Sequence, residues 1–202
     1  VGLSLWRPDL DHNDEAALGI PVTAMPRDLF LLGLGHLGNA YLWTLACLPY
    51  AAPEETRLCL FDFDEVSGEN FETSLLFQSD DSGRLKTRVS AAWLEDRGFP
   101  TRLVERRFGA DFRRYADGKN DEPALALCGF DSNAARRSLD TAQFSRVIET
   151  GLGGHSNNFD TVAFHTLPNP RSVHDLWPDP SAEEQAARAR RLEAEVEANA
   201  GY

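Results

Sequence analysis

Residues 27–38 read Arg-Asp-Leu-Phe-Leu-Leu-Gly-Leu-Gly-His-Leu-Gly, RDLFLLGLGHLG. The apolar run Leu29 to Leu32 has the length of a buried strand, and it feeds without a spacer into Gly33-Leu34-Gly35-His36-Leu37-Gly38. Asn39 to Cys47 follows as a helical segment with no breaker. In a strand, G-x-G-x-x-G, helix unit the first glycine makes a tight bend, the second lets backbone approach a phosphate, and the third lets helix pack on strand. The start of the helix adds unpaired N–H groups and a positive dipole end. A plain glycine turn is the competing reading of so short a pattern. A second signal weighs against it. Arg57-Leu-Cys-Leu-Phe61 is another apolar run, and it ends in Asp62-Phe63-Asp64, where a nucleotide site places an acid for the ribose hydroxyls.

Outward from this unit, strand and helix patterns alternate. Strands are expected at 28–33, 57–62, 101–106, 124–128 and 146–149. Helices are expected at 37–48, 83–97 and 110–117, and another opens at Asp131 or Ser132 as cap. Leu85, Val89 and Trp93 supply the stripe of the second helix, and Gly98-Phe-Pro100 stops it. The charged third strand belongs near a sheet edge, whereas Ala124 to Cys128 suits burial on both faces. Between Glu65 and Gly83 the chain is polar with apolar insertions, which suggests a functional loop. The alternation predicts an α/β fold, a doubly wound, mostly parallel Rossmann-like sheet with helices on both faces. Phe159 to Leu167, FDTVAFHTL, follows a Gly/Asn-rich turn and reads as a late antiparallel strand. Three units result: an N-terminal arm over 1–26, with Leu5 and Trp6 as anchors; the nucleotide-binding domain over 27–167; and 168–202, a proline-rich crossing loop followed by a charged helix. Ser181 and Glu184 stand in capping-box spacing at the start of that helix, whose thin apolar stripe reads as a solvated terminal helix.

The chain has 202 residues and a formal net charge of -12, which argues against nucleic acid as partner because a phosphate backbone attracts a basic surface. The same charge leaves room for a small polyanion, since backbone amides and a few placed cations suffice for one. Cys47, Cys59 and Cys128 lie in apolar patterns and read as buried thiols of a reducing compartment, so a cytoplasmic protein is expected. No stretch approaches the roughly 18–20 apolar residues of a membrane span.

The ordered set of Gly33-x-Gly35-x-x-Gly38, then Asp62-Phe-Asp64-Glu-Val66, then Asn70-Phe71, Lys86 and Cys128-Gly-Phe-Asp131-Ser-Asn133 with Arg136 resembles the ubiquitin-activating, E1-like (ThiF-type) adenylating superfamily. The resemblance runs over residues 28–167 and rests on several short motifs in the right order. It implies ATP-dependent adenylation of the C-terminal carboxylate of a ubiquitin-like or sulfur-carrier protein. Gly33, Gly35 and Gly38 would meet the phosphates, and Asp62 or Asp64 the ribose. Lys86 would face charge developing on the α-phosphate, Asp131 would hold Mg2+, and Asn70 would orient phosphates or metal. A helix cap remains the alternative reading of Asp131, and a solvated helix lysine that of Lys86. A homodimer is a further implication.

The sequence also departs from the family. Where the resemblance calls for an arginine reaching the phosphates, Thr73 stands, between Glu72 and Ser74; Arg84 or Arg88 is the nearest substitute by sequence. No C-x-x-C pair is present, and no cysteine follows Cys128 to form a thioester. A degenerate scaffold or dimerisation partner without adenylation is therefore the second reading. A nicotinamide-dependent dehydrogenase, resting on the glycine turn and Asp62 alone, is the third. His155, His165 and His174, with Asp160 and Asp175, read as loop and strand residues rather than a metal site.

Overall fold

Strands β1 (Asp28–Leu32), β2 (Arg57–Phe61), β3 (Thr101–Val104), β4 (Leu125–Cys128), β5 (Arg146–Gly153) and β6 (Thr161–Leu167) form one sheet in the order 3-2-1-4-5-6. The computed structural model from which they are drawn describes residues 4, 7–19, 24–71, 74–153, 161–179, 181, 185, 186 and 190. The first five strands pair in parallel, and β6 returns antiparallel against β5. The chain is thus the α/β, doubly wound sheet that the alternation predicts, with its late strand reversed. The charged β3 is an edge strand.

Alternate residues of each strand serve opposite faces, as the two-residue period requires. Leu29 and Leu31 of β1 and Leu58 and Leu60 of β2 pack on one face, against Leu42 and Leu45 of helix α1 (His36–Cys47) and Val89 and Leu94 of helix α2 (Lys86–Glu95). Phe30, Leu32, Cys59, Phe61, Ala126 and Cys128 occupy the other face. There they meet Phe108, Phe112 and Leu139, together with Val173 of the short helix α4 (Val173–Leu176) and Trp177. A further short helix, α3 (Asn133–Arg137), follows β4.

The second face corrects the helix expected over 110–117, where the chain forms no helix. Its backbone donors have better partners elsewhere. The Arg114 N–H donates to the Ala142 carbonyl at 3.1 Å and the Tyr115 N–H to Glu122 Oε2 at 2.7 Å. Phe108 and Phe112 meanwhile pack edge-on against Phe61, with ring centroids 5.3 Å apart in both pairs. Aromatic burial and long-range acceptors override local helical preference.

Two smaller corrections have similar causes. Helix α2 begins at Lys86 and not at Gly83, because Gly83 turns at φ +78° and Leu85 pairs with Glu65 across an isolated bridge. Cys47 is exposed, whereas Cys59 and Cys128 are buried, and burial pushes their thiols up to about 11 and about 12. Leu5, Trp6, Glu184 and most of the expected helix over 181–200 lie outside the described residues.

Candidate functional site

The sheet order reverses between β1 and β4, and in an open parallel sheet the crevice for a ligand opens beyond the carboxyl ends of the strands at that point. A crevice of about 1030 Å³ lies there. Gly33, Gly35, Asp62, Asp64, Asn70, Lys86 and Asp131 all line it. Separate stretches of sequence therefore converge on one space.

The three glycines have distinct duties. Gly33 turns the chain at φ +82°, and a Cβ there would crowd the Phe130 ring and the Gly129 carbonyl. Gly35 caps α1 and has open space where a side chain would stand, so its backbone faces the crevice bare. Gly38 sits one layer below, where a Cβ would lie 2.1 Å from the Gly33 carbonyl oxygen. It serves helix-to-strand packing.

Asp62 is buried, and both its oxygens are engaged. Oδ2 accepts from the Leu34 N–H at 2.6 Å, and Oδ1 accepts from the Asp64 N–H at 2.8 Å. This carboxylate braces the glycine turn against the end of β2. Burial raises its pKa, opposed by the Asp64 and Leu34 N–H groups and more weakly by Lys86. Asp64 is half exposed in the crevice, with the Lys86 ammonium 3.5 Å from its Oδ2. Lys86 is buried along its stem, and its backbone N–H donates to the Asp64 carbonyl at 2.9 Å, which fixes the start of α2 beside the end of β2.

Asn70 closes a capping box with Ser67, its Oδ1 accepting from the Ser67 N–H at 2.9 Å. Asp131 is exposed. It is not the cap of α3; Ser132 holds that position and makes no side-chain cap bond.

Arg84 and Arg88 do not line the crevice; they pair with Asp81 at 2.5 Å and Glu105 at 2.9 Å. The arginines that do line it are Arg106, Arg107 and Arg136. Arg106 is paired with Asp111 at 2.7 Å, whereas Arg107 lies 4.2 Å over the Phe63 ring, with no carboxylate in salt-bridge reach among the described residues. No motif in the sequence singles out Arg106 or Arg107, although an Arg-Arg pair directly beyond a parallel strand is placed by topology at the ligand edge. Asn39 is equally inconspicuous in the sequence. Its amide donates to the Leu34 carbonyl at 2.8 Å while Oδ1 accepts from Ser74 Oγ at 2.6 Å, tying the following loop to the glycine turn. Thr73, His155 and Asp160 lie outside the described residues, among which no cluster of three metal-ligating side chains occurs.

Asp62→Asn is expected to leave one of the two N–H groups without an acceptor, lowering stability by about 1–3 kcal/mol in thermal denaturation. Because the folded pKa lies above the unfolded one, Asp62's proton-linked stability is complete below its ordinary value of 3.8 and lost as pH rises through the raised value. The stability difference between wild type and variant should therefore shrink from acid towards neutral pH. A difference that grows with pH would contradict the assignment.

The profile of the BilD C-terminal domain family matches residues 25–201. The bacterial E1-like protein BilD of Collimonas sp. (strain OK412) is 42% identical over 177 residues, which cover 88% of this chain. The chain spans only 38% of that relative's length. Among solved structures, the E. coli tRNA N6-threonylcarbamoyladenosine dehydratase TcdA superposes with a TM-score of 0.49 at 17% identity, over 65% of this chain and 54% of that one. E. coli MccB, crystallised with AMPCPP and MccA, superposes with a TM-score of 0.47 at 21% identity, over 62% of this chain and 37% of that one. The extent of the family match and the identity to BilD agree with the order of motifs along the sheet: this chain belongs to the BilD C-terminal domain family of bacterial E1-like proteins.

Proposed function

We propose that residues 27–167 are the nucleotide-binding unit of an adenylating enzyme, which uses MgATP to activate the C-terminal carboxylate of a ubiquitin-like or sulfur-carrier protein. The observation that carries this reading is the convergence of Gly33, Gly35, Asp64, Lys86 and Asp131 on one crevice at the switch point of the sheet. Bare backbone at the start of α1 suits the phosphates. Asp64 suits the ribose. Lys86 stands at the same edge as a cation for charge that develops on the α-phosphate.

The residues present fit magnesium in a limited way. Asp131 offers a hard oxygen not spent on a helix cap, and no three-ligand protein cage exists among the described residues. Magnesium suits such a place, because it is commonly held by one or two carboxylates with the remaining positions filled by phosphate oxygens and water. When bound, it would withdraw charge from the phosphates. Arg107 completes the set of cations. Its guanidinium has no carboxylate partner among the described residues, so it is the crevice group best placed to supply the positive charge that Thr73 lacks.

The deciding experiment is a calorimetric titration with MgATP beside NAD, followed by ATP–pyrophosphate exchange in the presence of carrier protein. Tight binding of ATP but not NAD, with carboxylate-dependent exchange, supports the reading; tighter binding of NAD would overturn it. Lys86→Ala should lower the exchange rate about a hundredfold or more. Its effect on stability should stay under about 1 kcal/mol, because the partner Asp64 is half exposed and the pair is screened. Full exchange activity in Lys86→Ala would remove Lys86 from the mechanism.

A further inference from the structure

On β5, the strand next to the β6 edge of the sheet, stands an acid that packing alone does not call for. Glu149 is 1% exposed, and β5 lies between β4 and β6. Its Oε1 lies 2.9 Å from Nε of Arg136, and its Oε2 lies 2.8 Å from Nδ1 of His165 on β6. Two positions further along β5, a Cβ on Gly151 would come within 2.5 Å of the Arg136 guanidinium. The strand has thus left out a side chain where the arginine passes.

A buried ion pair is weak evidence for stability, since apolar side chains of similar volume often stabilise as well or better. What apolar side chains do not do is hold a guanidinium in place. The Arg136 Nε–H does not satisfy Glu149; it donates to the Phe130 carbonyl at 2.9 Å, leaving Glu149 Oε1 with charge attraction and no hydrogen bond. Phe130 belongs to the loop Gly129-Phe130-Asp131 between β4 and α3, and its ring abuts Gly33 of the glycine turn. Buried charge on β5 therefore fixes an arginine, and the arginine fixes the loop that carries Asp131.

We infer that Glu149 is a positioning residue, which sets the geometry of Asp131 through Arg136 and the Phe130 carbonyl, with His165 holding the second carboxylate oxygen. Its bearing on turnover rests on the metal-holding role proposed for Asp131. The pair of substitutions that tests it separates charge from space. Glu149→Gln keeps the volume and removes the charge; Gly151→Ala keeps every charge and pushes the guanidinium aside.

Both variants are read by amide hydrogen exchange in the nucleotide-free full chain and by ATP–pyrophosphate exchange. The expected result is that the amides of 129–132 exchange about tenfold faster in each variant while those of β1 and β2 do not change. In the active protein the turnover rate should fall about tenfold or more with the KM for ATP held within about threefold, as for a misplaced transition-state group. Unchanged protection at 129–132, or loosening spread evenly over the sheet, overturns the inference. If the wild type carries out no exchange reaction, the adenylation reading fails while the amide measurement still decides the role of Glu149. If Glu149→Gln does not fold, Gly151→Ala decides the matter by the same two measurements.

Discussion

Asp131→Ala is expected to abolish nucleotide-dependent turnover while leaving the fold intact. The two halves of that expectation come from the same geometry. Asp131 is exposed at the carboxyl edge of β4, outside the cap position of α3, and makes no hydrogen bond or ion pair among the described residues. Its removal should therefore change stability by no more than about 0.5 kcal/mol, as for a surface position without structural duties. Its loss from the crevice is another matter. A carboxylate that anchors a metal against phosphate oxygens acts where charge is redistributed, and withdrawing such stabilisation lowers rates by about 10²–10³-fold. Calorimetry with MgATP should show the affinity lowered at least about tenfold, and the exchange reaction should fall to background. A variant that folds, binds MgATP as tightly as wild type and turns over normally would mean that Asp131 is an idle loop acid.

Gly38→Ala should have the largest effect on stability. A Cβ at this position would lie 2.1 Å from the Gly33 carbonyl oxygen and 2.9 Å from its carbonyl carbon. Both atoms are backbone, so no rotamer change relieves the contact; α1 must move off β1 or the turn must open. Overpacking of this kind costs about 3 kcal/mol, at the upper end of the range for extra methyl groups in close-packed sites. For a domain of this size, that corresponds to a fall in Tm of roughly 6–12 °C. Nucleotide affinity should fall with it, because the displaced turn carries Gly33 and Gly35. Gly35→Ala gives the contrast: with open space around its Cβ, it should be far milder in thermal denaturation. Equal losses of Tm in the two variants would show that the packing argument is wrong.

Much of the site was legible because it depends on local rules. The strand-turn-helix run at 27–38 needs glycines for reasons internal to a short segment, and Asp62-Phe63-Asp64 follows an apolar run that has to be a strand. The cations were harder. Arg84 and Arg88 are the arginines nearest Lys86 in sequence, but the chain turns at Gly83 and α2 carries Arg88 towards Glu105, so neither lines the crevice. Arg106 and Arg107 are far from Lys86 along the chain yet share the crevice with it, because β3 runs parallel to β2 and ends at the same edge. Sequence distance misleads wherever parallel strands bring their ends together.

By itself the sequence determined the alternation of strands and helices, the parallel sheet with a reversed last strand, the glycine turn and the acids that follow β2. These rest on periodicity and on backbone conformations that few residues can adopt, and both are properties of short stretches of chain. Only the tertiary structure decided that 110–117 stays irregular, that Asp62 is spent on bracing the turn while Asp64 faces the crevice, and that Glu149, Arg136 and His165 meet beneath the loop of Asp131. Each of those outcomes depends on a partner from a distant segment: an aromatic cluster and an acceptor for 110–117, an N–H of the glycine turn for Asp62, a guanidinium and an imidazole for Glu149. The physical reason is desolvation. A buried donor or carboxylate settles where its partner is, and the position of that partner is set by packing.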